Sequence, residues 1–226
     1  MRKNSTYIFC VMSALCVLGI AIVFTPEPAL HIGFNKYHTT TQDFFFKYFT
    51  LLAEGLPYVL FLALLFYQLG SACFLLSAEV LTGIVVQIIK NAVQAPRPST
   101  VLDLLNNDIV PLVEGVSLNS SYSFPSGHSA TFVSMFFCLS LIIASQQLST
   151  LTRHLTQAFL ATLALLGCFS RIYLSQHFAK DVLVGALIGL IVPMLIYPFF
   201  LKWQSHNSQT YKWTITKNKP TKNKSH

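Results

Sequence analysis

Apolar stretches of nearly uniform length recur along the chain, at roughly 7–24, 54–70, 72–91, 128–146, 155–173 and 182–201. Each approaches the about 20 residues that an α-helix needs to cross the hydrocarbon core of a bilayer. Only Gly70–Ser71 separates the second stretch from the third, which predicts a tight helical hairpin. No fixed-period repeat is visible. The expected fold is an all-α membrane protein, a six-transmembrane-helix bundle.

The polar intervals are unequal. Residues 25–53 carry Phe44-Phe45-Phe46-Lys47-Tyr48-Phe49, an aromatic cluster with one charge. This reads as an interfacial amphipathic segment, or as an ordinary loop packed on the bundle. Residues 98–124 are polar and turn-rich, with Asn106-Asn107-Asp108 and Asn119-Ser120-Ser121. Loops of this length are usually functional or disordered. The first apolar stretch follows Met1-Arg2-Lys3, as in a signal peptide, but Thr25-Pro26-Glu27-Pro28 is a poor small-residue cleavage site. A retained anchor is expected. Nothing resembles a linker, so residues 1–201 are expected to form one six-span domain and residues 202–226 a disordered basic cytoplasmic tail.

Composition sharpens this picture. The chain is 53% hydrophobic and 10% charged, against about a quarter charged in a soluble domain. Of the 15 Lys and Arg residues, six lie in the tail: Lys202, Lys212, Lys217, Lys219, Lys222 and Lys224. The net charge of +7 is therefore a tail property and not a nucleic-acid-binding face. Such a tail is a solvated end or a contact for anionic lipid. With the N-terminus inside, Arg2, Lys3, Arg153 and the tail place nine basic residues on the cytoplasmic side and leave six outside. That bias predicts both termini in the cytoplasm. The cysteines (Cys10, Cys16, Cys73, Cys138, Cys168) all fall in apolar runs and suggest neither disulfides nor a zinc site.

Three polar clusters then fall at outer span ends, where ionisable groups tend to mark function. Lys90 closes the third span, and Pro96-Arg97-Pro98 stops the helix. Lys90 and Arg97 can thus fold toward one point and hold a phosphate, Arg as a fork and Lys as a point charge. Taken alone, they also fit basic side chains snorkelling from a helix end. Phe124-Pro125-Ser126-Gly127-His128 opens the fourth span. Ser126 is a good N-cap, Gly127 allows close approach, and a helix start offers N–H groups to an anion. A capped helix with an incidental histidine is the plainer alternative. Arg171 ends the fifth span, and His177 and Asp181, four apart, would share one helical face. The carboxylate can then orient the imidazole as a nucleophile. A helix-start pair without chemistry remains possible.

Together the clusters bring three cations, two histidines, one carboxylate and one helix N-terminus to one surface. That is the inventory for in-line phosphoryl transfer, with basic side chains neutralising the charge that develops on the oxygens. No carboxylate cluster suited to a metal accompanies them. No metal or other cofactor is expected.

In this combination the sequence resembles the type-2 phosphatidic acid phosphatase superfamily. Lys90 to Pro98 matches its Lys-x6-Arg-Pro motif, Pro125 to His128 its Pro-Ser-Gly-His motif, and Ser170 to Asp181 its Ser-Arg-x5-His-x3-Asp motif. The resemblance implies that His177 is a nucleophile forming a phosphohistidine, with Asp181 as its orienting partner and His128 as general acid. It also implies that Lys90, Arg97 and Arg171 bind phosphate, assisted by Ser126 and the Gly127 amide, without metal. The expected activity is that of a lipid phosphate or diphosphate phosphatase, working on a membrane lipid at the outer face of a bacterial cytoplasmic membrane. Undecaprenyl diphosphate and phosphatidylglycerophosphate lead, with lipid A 1-phosphate and phosphatidate as alternatives. A transporter that uses the same basic rim without hydrolysis is the rival of another class.

Some polar residues stand outside the motifs. Glu79 lies eleven residues before Lys90, about 16 Å along a helix, too far to share its phosphate. Glu54 is expected to start a helix at the outer rim or to face a headgroup. His31 and His38 are expected to have no ligand role.

Overall fold

The computed structural model describes residues 5–104, 112–117 and 121–207, and the regular structure among them is helical throughout. In chain order the helices are α1 (Ser5–Phe24), α2 (Glu27–Phe34), α3 (Thr40–Phe49), α4 (Leu52–Tyr67), α5 (Leu69–Val93), α6 (Pro98–Leu104), α7 (Gly127–Ala144), α8 (Thr150–Tyr173) and α9 (Ala179–His206). Among these residues, α1, α5, α7, α8 and α9 are long and apolar enough to cross a membrane. A sixth span results when α3 and α4, bent by 44° at their junction, are taken as one. The six expected spans are therefore present as helices, with shifted ends.

Two boundaries differ from expectation. The hairpin between α4 and α5 turns at Gln68, whose backbone is extended (φ −165°, ψ 114°), and not at Gly70–Ser71. Gly70 and Ser71 form the buried first turn of α5, and the Ser71 hydroxyl donates to Gln68 Oε1 at 2.6 Å. At the other end of the chain, α9 runs past Leu201 to His206. The expected disorder of the basic tail falls almost wholly outside the described residues, as do residues 105–111 and 118–120 of the long polar loop.

Helix α7 is the axis of the bundle. It packs against α5, α8 and α9, while α1 lies across α8 and α9. Phe132, Val133, Met135, Phe136, Phe137 and Cys138 are all buried along it. The contact of α7 with α9 is made by glycine. A Cβ on Gly185 would overlap the Ser126 carbonyl, and one on Gly189 would overlap the carbonyl of Ala130. Two glycines four apart let helix backbones approach closely where apolar solvent offers little hydrophobic driving force. This approach fixes the start of α7 against the start of α9, and a main-chain bond from Ser126 N–H to the Asp181 carbonyl (2.9 Å) ties the two together.

The segment 25–53 holds two short helices instead of one. On α3, Phe46 is buried against Phe169 and Tyr173, with ring centroids 5.4 and 4.6 Å away, while Phe44 and Tyr48 point outward. An aromatic face inward and an aromatic rim outward suit a helix at a membrane interface. The start of α1 lies beside the start of α8, opposite the motif clusters. Thr6 of α1 meets His154 near the start of α8 at 2.5 Å.

Candidate active site

All three motifs open on one end of the bundle, because α5 and α8 end there and α7 and α9 begin there. Local chain chemistry produces each turn. Gln94 adopts a left-handed conformation (φ 53°) and closes α5 on the Lys90 carbonyl, after which Pro96 and Pro98 block continuation. Ser126 caps α7, its hydroxyl oxygen accepting from the Ser129 N–H (3.3 Å) and the Ser129 hydroxyl (2.9 Å). The Ser126 hydroxyl is thus engaged in capping, which leaves its contribution to anion binding to the helix start it secures.

The five residues between Arg171 and His177 form a loop that closes on its own start. The main-chain N–H groups of Gln176 and His177 both donate to the Arg171 carbonyl at 3.1 Å, with Ser175 in the left-handed region (φ 53°). His177 therefore lies before α9 and does not share a helical face with Asp181, contrary to the reading from their spacing. Phe178 is the N-cap residue, and Asp181 sits in the first turn with Oδ2 accepting the Phe178 N–H at 3.0 Å. The carboxylate meets the imidazole from the helix end, with Asp181 Oδ2 3.5 Å from His177 Nδ1.

Ser123 completes this pair and was not foreseen. Its hydroxyl donates to Asp181 Oδ2 at 2.5 Å and lies 3.2 Å from His177 Nδ1. All three side chains are buried, with exposures of 0% for Ser123, 2% for His177 and 0% for Asp181. Nδ1–H directed at Ser123 and Asp181 leaves Nε2 as the basic nitrogen. Burial first, then the charges of Arg171, Arg97 and Lys90, hold His177 well below its ordinary value of 6.5, so the ring is neutral at physiological pH.

Lys90 and Arg97 both bind the segment that leads into Ser123, whereas Arg171 binds Thr50. Lys90 Nζ donates to the Tyr122 carbonyl at 3.0 Å. Arg97 Nε and Nη2 donate to the Ser121 carbonyl (2.7 Å) and hydroxyl (3.1 Å). Its Nη1 reaches the Gln176 carbonyl at 2.7 Å and Gln176 Oε1 at 3.3 Å. Arg97 thus fastens two loops as well as lending its charge. Arg171 Nη1 donates to Thr50 Oγ1 at 2.6 Å, while its buried Nε has no partner among the described residues. A buried guanidinium with an unused donor is costly unless an anion arrives. Beside it lies a cavity of about 300 Å³ whose lining includes Lys47, Thr50, Glu54, His128, Arg171 and Gln176. Residues 115–117 of the polar loop also line it.

His31 and His38 both make structural contacts. His31 is buried 3.2 Å from Ser175 Oγ in the loop before His177, and Asn35 donates to the Ile172 carbonyl at 3.1 Å. Burial pushes His31 down to about 4, so it braces the loop as a neutral ring. His38 stacks on Tyr173 at 4.0 Å and meets Asp43 Oδ1 at 2.9 Å. Ser123, Thr50, Gln176 and Asn35 carry no recognisable local pattern, since each acquires its role through contacts more than 50 residues away in sequence.

Comparison with known proteins shows the family of the chain. Residues 71–205 match the PAP2 superfamily, a span that contains all three motifs. The chain is 29% identical over 132 residues to the dolichyldiphosphatase of Saccharomyces cerevisiae, covering 56% of this chain and 51% of that protein. It is 30% identical over 115 residues to phosphatidylglycerophosphatase B of Bacillus subtilis, covering 50% of each. The chain thus spans about half the length of these curated relatives. The crystal structure of Aquifex aeolicus LpxE superposes with a TM-score of 0.63 at 28% identity, covering 79% of this chain and 96% of that one.

Proposed function

The chain belongs to the PAP2 superfamily, and from that premise we propose that it hydrolyses the phosphate or diphosphate of a membrane lipid through a phosphohistidine on His177. One observation carries the reading: a buried, neutral His177 backed by Ser123 and Asp181 lies at the same rim as His128, Lys90, Arg97 and Arg171. A structural histidine has no need of three surrounding cations, which only disfavour its protonation.

In the first step His177 Nε2 forms a bond to phosphorus as the bond to the leaving oxygen breaks, and a His128 ring N–H passes its proton to that oxygen. In the second step water attacks phosphorus, the P–N bond breaks, and His128 takes the water's proton back. The cycle closes with no net change in the protein. Lys90, Arg97, Arg171 and the N–H groups at the start of α7 stabilise the charge that spreads over the equatorial oxygens. They fill the role that a metal ion plays elsewhere, so the reaction proceeds without one.

Undecaprenyl diphosphate and phosphatidylglycerophosphate are the favoured substrates. The names of the yeast and Bacillus relatives support a lipid diphosphate or glycerophosphate, and a cavity of about 300 Å³ suits a compact headgroup better than a glycolipid. The enzyme resides in a bacterial cytoplasmic membrane with the site facing the periplasm or exterior, which the bias of basic residues supports. Purified protein is to be offered undecaprenyl diphosphate, phosphatidylglycerophosphate, phosphatidate and lipid A, with phosphate release measured for the wild type and His177→Ala. Turnover by the wild type alone is the expected result. Binding of all four lipids without phosphate release would favour a transporter, and activity retained in His177→Ala would remove the nucleophile assignment.

A further inference from the structure

Glu54 lies in the first turn of α4, in a segment unconnected with the three motifs. Its Oε1 is 3.3 Å from His128 Nε2, with side-chain exposures of 63% for Glu54 and 27% for His128. Both residues line the 300 Å³ cavity together with Arg171, whereas His177 does not. In an in-line displacement the nucleophile and the leaving oxygen lie on opposite sides of phosphorus. The cavity that holds His128 without His177 is therefore the leaving-group side.

His128 presents an electrostatic difficulty there. To donate a proton it must carry one, and the imidazolium is then a fourth cation beside Lys90, Arg97 and Arg171. Three other carboxylates near the rim are committed elsewhere. Asp181 accepts from Ser123 and Phe178, Asp43 meets His38 and Tyr173, and Glu27 pairs with Lys180 at 2.7 Å. Among the described residues, Glu54 is the carboxylate in contact with His128.

We propose that Glu54 is a positioning residue for the proton donor: its carboxylate orients the His128 ring on the leaving-group side and balances the charge of its protonated form. The proposal rests on the reading of His128 as general acid given above. Glu54 exchanges no proton over the cycle. The His128 N–H bond breaks as the O–H bond of the leaving group forms, and the proton returns from water in the second step. Two consequences follow. Glu54 matters in proportion to how much the leaving oxygen needs a proton, and a shorter carboxylate replaces it in part whereas an amide does not.

The test uses the full chain in detergent micelles, with Glu54→Gln, Glu54→Ala and Glu54→Asp compared with the wild type. Two phosphate esters are assayed: a lipid monophosphate whose leaving group is an alkanol, and p-nitrophenyl phosphate, whose leaving phenolate needs little protonation. Loss of a hydrogen bond to a charged group corresponds to a drop of about ten- to a hundredfold. That drop in kcat is expected for Glu54→Gln and Glu54→Ala on the lipid. The loss on the aryl ester should be at least about fivefold smaller, and Glu54→Asp should recover part of the lipid activity. Equal losses on both esters would mean that Glu54 merely supports the fold, and undiminished lipid turnover would mean that His128 has no need of it. Either result overturns the proposal alone. A wild type that releases phosphate from neither ester, nor from a lipid diphosphate, overturns the phosphatase reading and this one with it.

Discussion

Replacing Ser123 with alanine removes one hydroxyl from the least accessible part of the site. That hydroxyl donates to Asp181 Oδ2 at 2.5 Å and sits 3.2 Å from His177 Nδ1, so its loss affects the carboxylate and the imidazole together. Asp181 keeps the Phe178 N–H at 3.0 Å, while its Oδ1 already lacks a partner among the described residues. Water cannot easily substitute at a position with no exposure. A buried hydrogen bond to a charged group contributes about 1.5–3 kcal/mol. If that contribution serves the aligned nucleophile, kcat should fall by about ten- to a hundredfold at 1.36 kcal/mol per decade. Because His177 itself remains, the variant should stay measurably active, unlike His177→Ala. The assay is phosphate release from lipid in mixed micelles at saturating substrate, with thermal unfolding followed in the same detergent. A kcat within twofold of wild type would refute the reasoning, since the Ser123 bridge would then contribute nothing to alignment.

Four further outcomes are expected. His177 is held well below 6.5 by burial and by its neighbouring cations, so its neutral form is complete at pH 7 and the acid limb of kcat/KM should lie below 6.5; a limb at or above 6.5 would contradict this. His31 is lowered to about 4 on folding, so the unfolded chain binds the extra proton and stability should fall as pH drops from about 6.5 toward 4, a slope that thermal melts of His31→Gln should show reduced. Gly189→Ala places a methyl group on the Ala130 carbonyl and should destabilise the bundle by about 1–3 kcal/mol, visible as a lower melting temperature; an unchanged melt would mean that α7 and α9 separate without cost. Orthovanadate should inhibit and excess EDTA should not, because Lys90, Arg97 and Arg171 supply the charge; activity lost in EDTA and restored by Mg²⁺ would reverse that assignment.

Span-length apolar runs determined the helices, because a backbone in hydrocarbon must satisfy its own hydrogen bonds and helix is the local solution. The motifs were legible for a similar reason. Pro96 and Pro98, the Ser126 cap and the loop from Arg171 to His177 are each closed by bonds within a few residues, so spacing carries their geometry. Spacing misled where two local solutions share one interval. A separation of four between His177 and Asp181 fits a helical face, but the chain uses this interval as a loop residue and an N-terminal helical turn joined through the Phe178 N–H. Only the tertiary structure decided that Ser123 bridges this pair, that Thr50 receives Arg171, and that Glu54 reaches His128. Those residues lie 58, 121 and 74 positions from their partners, and a serine, a threonine or a helix-start glutamate looks the same in sequence whether or not such a partner arrives. The bare approach of Gly185 and Gly189 to α7 brings the ends of distant helices within hydrogen-bonding reach. That packing, which no local pattern encodes, turns three readable motifs into one site.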